Sequence, residues 1–213
     1  MTLTTDKVDS LEIGLSGSWG SAKIDWGNGE TIKSNDLWSM PEYFSNSYSE
    51  RKSHIITING SKLKTILGFF CFDNQITSLN VNNISKLETL DVLKNKLKNI
   101  DVSNNPELSV LNCTWNQLNS LDVSKNTLLE HLSCENNQLK SLNVSNNKKL
   151  MSIFLRSNQL DEKQLNLLFE SLHNNKMFEK TIFIGGNPGT EKSNKSIATN
   201  KGWIVDVEPV EFK

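Results

Sequence analysis

The sequence predicts an α/β solenoid that is mostly β: a stack of short coils whose strands lie in parallel, with a β-sandwich-like cap before it and an α/β cap after it. Three observations lead there. From Ile66 the chain aligns with itself at a step of 21 residues, reading "ILGFFCFDNQITSLNVNNISK", "LETLDVLKNKLKNIDVSNNPE", "LSVLNCTWNQLNSLDVSKNTL", "LEHLSCENNQLKSLNVSNNKK" and "LMSIFLRSNQL". Asparagines recur at that step in two ladders, Asn74, Asn95, Asn116, Asn137 and Asn158, and Asn105, Asn126 and Asn147, with Ile84 breaking the second. Apolar residues recur in the same way, Leu90, Leu111, Leu132 and Ile153 in one column and Leu79, Ile100, Leu121 and Leu142 in another. A fixed period of this size marks a repeat architecture. One unit cannot bury its apolar positions alone, so the units must stack.

The elements follow in order. Residues 1–62 read as strands, "VDSLEIGL", "SAKIDWGNGETIK" and "SHIITING", and Asn28-Gly29 in the second is a hairpin-turn signal. Residues 63–160 hold nearly five units. In the cysteine half of each, residues alternate inward and outward as in a strand, with neighbouring strands ~4.8 Å apart. The inward column runs Cys71, Val92, Cys113, Cys134, Leu155. Val and Leu replace Cys there with no partner changing to match, so the cysteines read as small buried hydrophobes and not as metal ligands. Cys113 and Cys134 fall within Cα reach of a disulfide, but their side chains point the same way. The ladder asparagines read as partners for backbone groups at the corners. Both halves of a unit are candidates for strands, and the cysteine half is favoured. In residues 161–213, Asp161 reads as an N-cap with Gln164 three residues on. Leu165, Leu168, Phe169 and Leu172 then form a helical stripe placed to seal the last coil. "KTIFIGGNPGT" gives a strand and a turn, and "EKSNKSIATNKGWIVDV" a short helix and a last strand, with Trp203 packed in this cap.

The unit L-x-x-L-x-C-x-x-N-x-L-x-x-L-D-V-S-x-N resembles the leucine-rich repeats, and more narrowly the 21-residue nested type of Bacteroidetes surface proteins. The resemblance covers about residues 63–160 and implies a right-handed coil. "IDWGNGE" followed by "SHIITING" resembles PKD-like domains, although Asn28 stands where that family usually has Asp. "GNPGT" with "SIATNKGWIVDV" looks like the C-terminal ending of the same repeat family. The resemblance implies a bacterial protein that is secreted or held at the cell surface, with a protein or a glycan as partner.

The residues suggest no chemistry. His54, His131 and His173 are scattered, and "IGGNPG" lacks the spacing and the Lys of a phosphate loop. Asp25 beside Asn28 offers too few hard ligands for calcium, so a turn role is expected. The column Asn80, Asp101, Asp122, Asn143 reads as side-chain bonds to the next turn, with an ion or sugar site as the alternative. No catalytic residue, metal ligand or cofactor is expected. The net charge of −1 gives no reason to expect nucleic acid. No apolar run approaches the ~20 residues of a membrane span. "MTLTTDKVDS" has neither the basic start nor the apolar core of a signal peptide. Oligomeric state is not legible.

Binding is a different matter. Positions that the fold requires repeat from unit to unit, and the outward residues of the cysteine half do not. They include Phe70 and Phe72, then Trp115 beside Thr114, His131, Phe154 and Arg156. Water-facing aromatics on a sheet tend to be used, and these types dominate interfaces. The N-terminal cap is placed to cover Phe70 and Phe72. The expectation is a non-enzymatic recognition module binding a protein, or a glycan, through this face. The alternative is a structural spacer in a bacterial envelope assembly with no specific ligand.

Overall fold

A computed structural model describes residues 1–17, 20–50, 52–59, 66–176 and 179–208. The expected boundary between residues 62 and 63 lies outside the described residues.

The N-terminal segment contributes β1 (Thr2–Thr5), β2 (Asp9–Gly17), β3 (Gly20–Asp25), β4 (Thr31–Leu37), β5 (Glu42–Tyr48) and β6 (His54–Asn59). β3 and β4 pair antiparallel around Asn28-Gly29, with Gly27 and Gly29 at φ 72° and 95°. Asp25 Oδ1 accepts the Gly27 N–H at 3.0 Å and Asn28 Oδ1 that of Glu30 at 3.0 Å, so these polar side chains build the turn. β1 and β5 were not foreseen. In β5 the alternation is visible only in retrospect: Phe44 and Tyr48 are buried, while Tyr43, Ser45 and Ser47 face water.

The repeat units supply β7 (Ile66–Phe70), β8 (Ile76–Asn80), β9 (Thr89–Asp91), β10 (Val110–Asn112), β11 (His131–Ser133) and β12 (Ser152–Phe154). After them come α1 (Glu162–Ser171), β13 (Lys180–Phe183), α2 (Ser196–Thr199) and β14 (Trp203–Asp206). β9 to β12 pair in parallel at the repeat register, with Leu90, Leu111, Leu132 and Ile153 side by side. All four are fully buried, each contributing about 1.5–3 kcal/mol by burial.

In these units the cysteine half is strand and the other half is turns. The turns are built by bonds such as Asn105 N–H to Val102 O and Leu108 N–H to Asn105 O. β8 is the exception, and it pairs antiparallel with β1, away from the repeat strands.

The ladder asparagines behave as corner pins. Asn116 Nδ2 donates to Val92 O at 2.9 Å and Cys113 O at 3.1 Å, and its Oδ1 accepts the Leu97 N–H at 3.0 Å. Asn137 repeats the pattern on Cys113 O, Cys134 O and the Leu118 N–H. In the second ladder Asn105, Asn126 and Asn147 donate in the same manner, but their Oδ1 atoms are buried without a partner. Cys71, Cys113 and Cys134 are buried and unbridged. Burial pushes the Cys71 and Cys113 thiols up to about 12 and raises Cys134 as well.

The parallel sheet runs past the repeats at both ends. Among the described residues its order is β14-β13-β12-β11-β10-β9-β7-β2-β5, nine strands. β13 and β14 continue the parallel register, and Asn187 continues the first ladder by donating to Leu155 O at 3.0 Å and accepting the Leu160 N–H at 3.2 Å. At the other end β2 joins β7 antiparallel and passes the sheet on to β5. A second sheet, β4-β3-β6-β1-β8, is tied to this N-terminal part by Tyr48 Oη donating to Trp26 O at 2.7 Å and Ser34 Oγ donating to Glu42 Oε2 at 2.7 Å. Helix α1 starts where expected, with Asp161 Oδ1 accepting the Gln164 N–H at 2.8 Å, and it buries Leu165, Leu168 and Phe169.

A candidate recognition face on the parallel sheet

The outward rows of the sheet follow from the register. One row is Tyr43, Gly14, Phe70, Asp91, Asn112, Ser133, Phe154, Phe183, Asp206. A neighbouring row runs Gly68, Thr89, Val110, His131, Ser152, Thr181, Ile204. Beyond the strand ends come Phe72, Leu93, Thr114, Glu135 and Arg156, two residues further along their units than the first row.

Part of this face is structural. Asp91 Oδ1 accepts the Leu93 N–H at 3.1 Å, Asn112 Oδ1 that of Thr114 at 3.2 Å and Asp206 Oδ1 that of Glu208 at 3.0 Å. Each carboxylate or amide here bends back to end its own strand. On the opposite half, Asn80, Asp101, Asp122 and Asn143 do the same for the residue two positions on. The Ser103 and Ser124 donors hold Asp101 and Asp122 below the usual carboxylate range.

The six predicted residues fall into two groups. At the C-terminal end Phe154 stacks on Phe183, with ring centroids 4.5 Å apart and planes 7° apart. Arg156 lies over the same Phe183 ring at 4.5 Å. Its guanidinium donates to Asp206 Oδ1 at 2.9 Å, Glu208 O at 2.8 Å and Glu135 Oε1 at 3.4 Å, and its side chain is only 17 % exposed. Burial raises the Glu135 carboxyl although Arg156 opposes it. His131 is half-buried, its Nδ1 2.7 Å from Ser152 Oγ. These side chains tie β11, β12, β13 and β14 together across the sheet surface.

From the N-terminal end to the middle of the sheet the residues meet water more fully. Phe70 is half-buried, its ring over Gly68, where a Cβ would lie 2.7 Å from Phe70 Cε2, while the Tyr43 ring lies over Gly14, where a Cβ would lie 2.8 Å from Tyr43 Cε1. Phe72 is 57 % exposed, with Lys94 Nζ 5.8 Å from its ring centre. Trp115 is 43 % exposed. The N-terminal segment therefore borders Phe72 without covering it.

Trp115 stands in the turn after β10 and not on the strand. Its φ is 56°, and the equivalent residues Asp73, Lys94, Asn136, Ser157 and Gly186 also have positive φ, from 51° to 74°. Each unit makes the same left-handed turn before its ladder asparagine. That turn favours Gly, Asn and Asp and costs other residues roughly 1–2 kcal/mol. A bulky aromatic is the least suited residue in the column. Sequence reasoning missed Tyr43, Phe183 and Asp206 as members of this face. A usable signal lay in "IFIGGN", which repeats the apolar-x-apolar-x-x-Asn spacing of the units.

Among the described residues no group of three or more His, Cys, Asp or Glu side chains is placed to hold a metal, and no helix is long and apolar enough to cross a membrane.

No family model and no curated protein matches the chain. Solved structures do. An internalin (inlF) from Listeria monocytogenes superposes with a TM-score of 0.53 at 23 % identity, over 65 % of this chain and 40 % of that one. The functional domain of InlJ from Listeria monocytogenes, which includes a cysteine ladder, gives a TM-score of 0.47 at 25 % identity, over 66 % of this chain and 34 % of its own. The chain thus spans well under half the length of either. The likeness to the inlF internalin shows the fold: a β-rich leucine-rich repeat.

Proposed function

We propose that the chain is a non-enzymatic recognition module, a leucine-rich-repeat solenoid with a PKD-like β cap and an α/β cap, that binds a protein through the outward face of its parallel sheet. The contact region centres on Phe72 and Trp115, with Phe70 and Tyr43 beside them and His131 further along. Phe154 and Arg156 lie on the same face and shape it through their stack and ion pairs. The single observation that carries this reading is Trp115: the backbone of its turn disfavours it, its equivalents in other units are all small or polar, and its ring lies partly in water. A bulky aromatic held on a surface in a backbone conformation that disfavours it fits a binding role. The internalin-like fold supports a protein as partner and a secreted or surface setting. Outward positions that vary while inward ones repeat support a recognition face over a spacer.

The test exposes immobilised wild-type chain and a Phe72→Ser/Trp115→Asn variant, both checked for folding, to host-surface protein extracts and to a glycan array. A protein retained by the first and lost by the second is the expected result. Retention of glycans alone would move the ligand class to sugars. Equal behaviour of the two chains would remove this face as the site.

A further inference from the structure

We propose that β5 is a self-pairing edge, through which two copies of the chain join their nine-stranded sheets antiparallel about Ser45. Among the described residues β5 is the outermost strand of that sheet and pairs only with β2. Its seven residues run in unbroken register with β2, with no bulge and no Lys or Pro within them. Such strands invite pairing, and proteins normally blunt their edges with lysine, proline, bulges or cover.

The other sheet edges carry those devices. β4 holds Lys33, and its pairing with β3 shifts register between Gly20 and Ala22. β8 is flanked by the next unit, whose Lys96 N–H donates to Ile76 O at 2.9 Å. β14 is four residues long and packs against α2.

The outer edge of β5 also carries unfinished hydrogen bonding. The Ser47 N–H points to that side and is met by the side chain of its own neighbour, Asn46 Oδ1, at 2.8 Å. By the alternation of a strand, Tyr43 and Ser45 turn their amides to the same side as Ser47.

The sequence E-Y-F-S-N-S-Y is self-complementary in the antiparallel sense. Centred on Ser45, Glu42 faces Tyr48, Tyr43 faces Ser47, Phe44 faces Asn46 and Ser45 faces itself. The strand's one charge, Glu42, already accepts Ser34 Oγ at 2.7 Å, and no like charges oppose each other. Trp38 and Met40, which precede the strand, and Tyr43 within it are each more than half exposed, so apolar surface surrounds this edge. A pair made this way leaves Phe72 and Trp115 open and sets two recognition faces on one continuous sheet.

The experiment measures mass by sedimentation over a hundredfold range of concentration, for wild type and Ser45→Lys. The exposed Ser45 site accommodates the lysine in the monomer, while the twofold brings two lysines together. A concentration-dependent dimer is expected for wild type, with the dissociation constant raised at least tenfold in Ser45→Lys and the same unfolding midpoint for both when measured at concentrations where both are monomeric. A second variant, Ser45→Cys, places the two Cα atoms about 5.5 Å apart, within disulfide reach, so mild oxidation should give a covalent dimer. The buried native thiols do not compete. A wild-type monomer throughout, a Ser45→Lys dimer of equal affinity, or a wild-type dimer that Ser45→Cys fails to lock would each overturn the proposal.

Discussion

Trp115 adopts a left-handed conformation that its neighbours in the column meet with Asp, Lys, Asn, Ser or Gly. Replacing it by the Asn found one unit later, at Asn136, relieves that conformation. Trp115→Asn is expected to raise stability by about 1 kcal/mol, read as a higher midpoint in urea; a fall of that size would mean that the indole is a structural prop. His173 gives a pH prediction at the same scale. It is buried against Trp203, its Nε2 donating to Leu150 O at 2.8 Å while Nδ1 accepts the Asn175 N–H at 3.2 Å. Both ring nitrogens are thus used by the neutral form. Burial, with Lys180, Lys148 and Lys201 nearby, holds its pKa below the ordinary 6.5. The unfolded chain therefore binds this proton first as pH falls. The contribution to stability is full above 6.5 and is lost as pH drops through the folded value. The urea midpoint of wild type should decline between pH 7 and pH 5, and His173→Gln should flatten that decline.

Within one unit, the cysteine column and the asparagine ladder divide the work. Val92 already fills the cysteine position, so Cys134→Val should cost less than about 1.5 kcal/mol. Asn137→Ala strands the Leu118 N–H in the interior and takes one of two side-chain donors from Cys113 O and Cys134 O, which keep Asn116 and Asn158, and should cost about 2–3 kcal/mol. Comparable losses from the two would mean that the ladder is not what holds the corners. These columns were legible because each position is fixed by a neighbour 21 residues away, and a period records such contacts. Helix α1 was legible from its cap and stripe. β1 and β5 were not, since half of their residues face water and little apolar pattern remains. That the last two strands extend the same sheet was also hidden: α1 is inserted there, and the ladder step grows from 21 to 29 residues between Asn158 and Asn187 (187 − 158). The same insertion hid the partners of Phe154 and Arg156. Phe183 and Asp206 reach them only because the sheet continues; "IFIGGN" keeps the internal spacing of a unit at Phe183 but off the 21-residue step, and Asp206 lies in no such motif.

On the scale of the whole molecule, one sheet passes through the N-terminal segment, the repeats and the C-terminal segment. Stability should then be shared along the stack through nearest-neighbour contacts. Removing residues 179–213 takes away β13 and β14, frees the edge of β12 and exposes Ile153 and Leu155 beside it. The shortened chain is expected to aggregate or to lose cooperative unfolding, followed by far-UV circular dichroism on heating. A soluble, sharply melting product would mean that the repeats close without these strands. The same continuity leaves the outward face open from Tyr43 to Arg156, and its use by a partner is the central claim. The most direct measurement is partner capture by wild type and by Trp115→Asn from one host-surface extract, with the urea midpoint of each recorded alongside. If the face serves recognition, the variant is at least as stable and loses the captured protein. A variant that is more stable and captures the same protein with undiminished yield would contradict it.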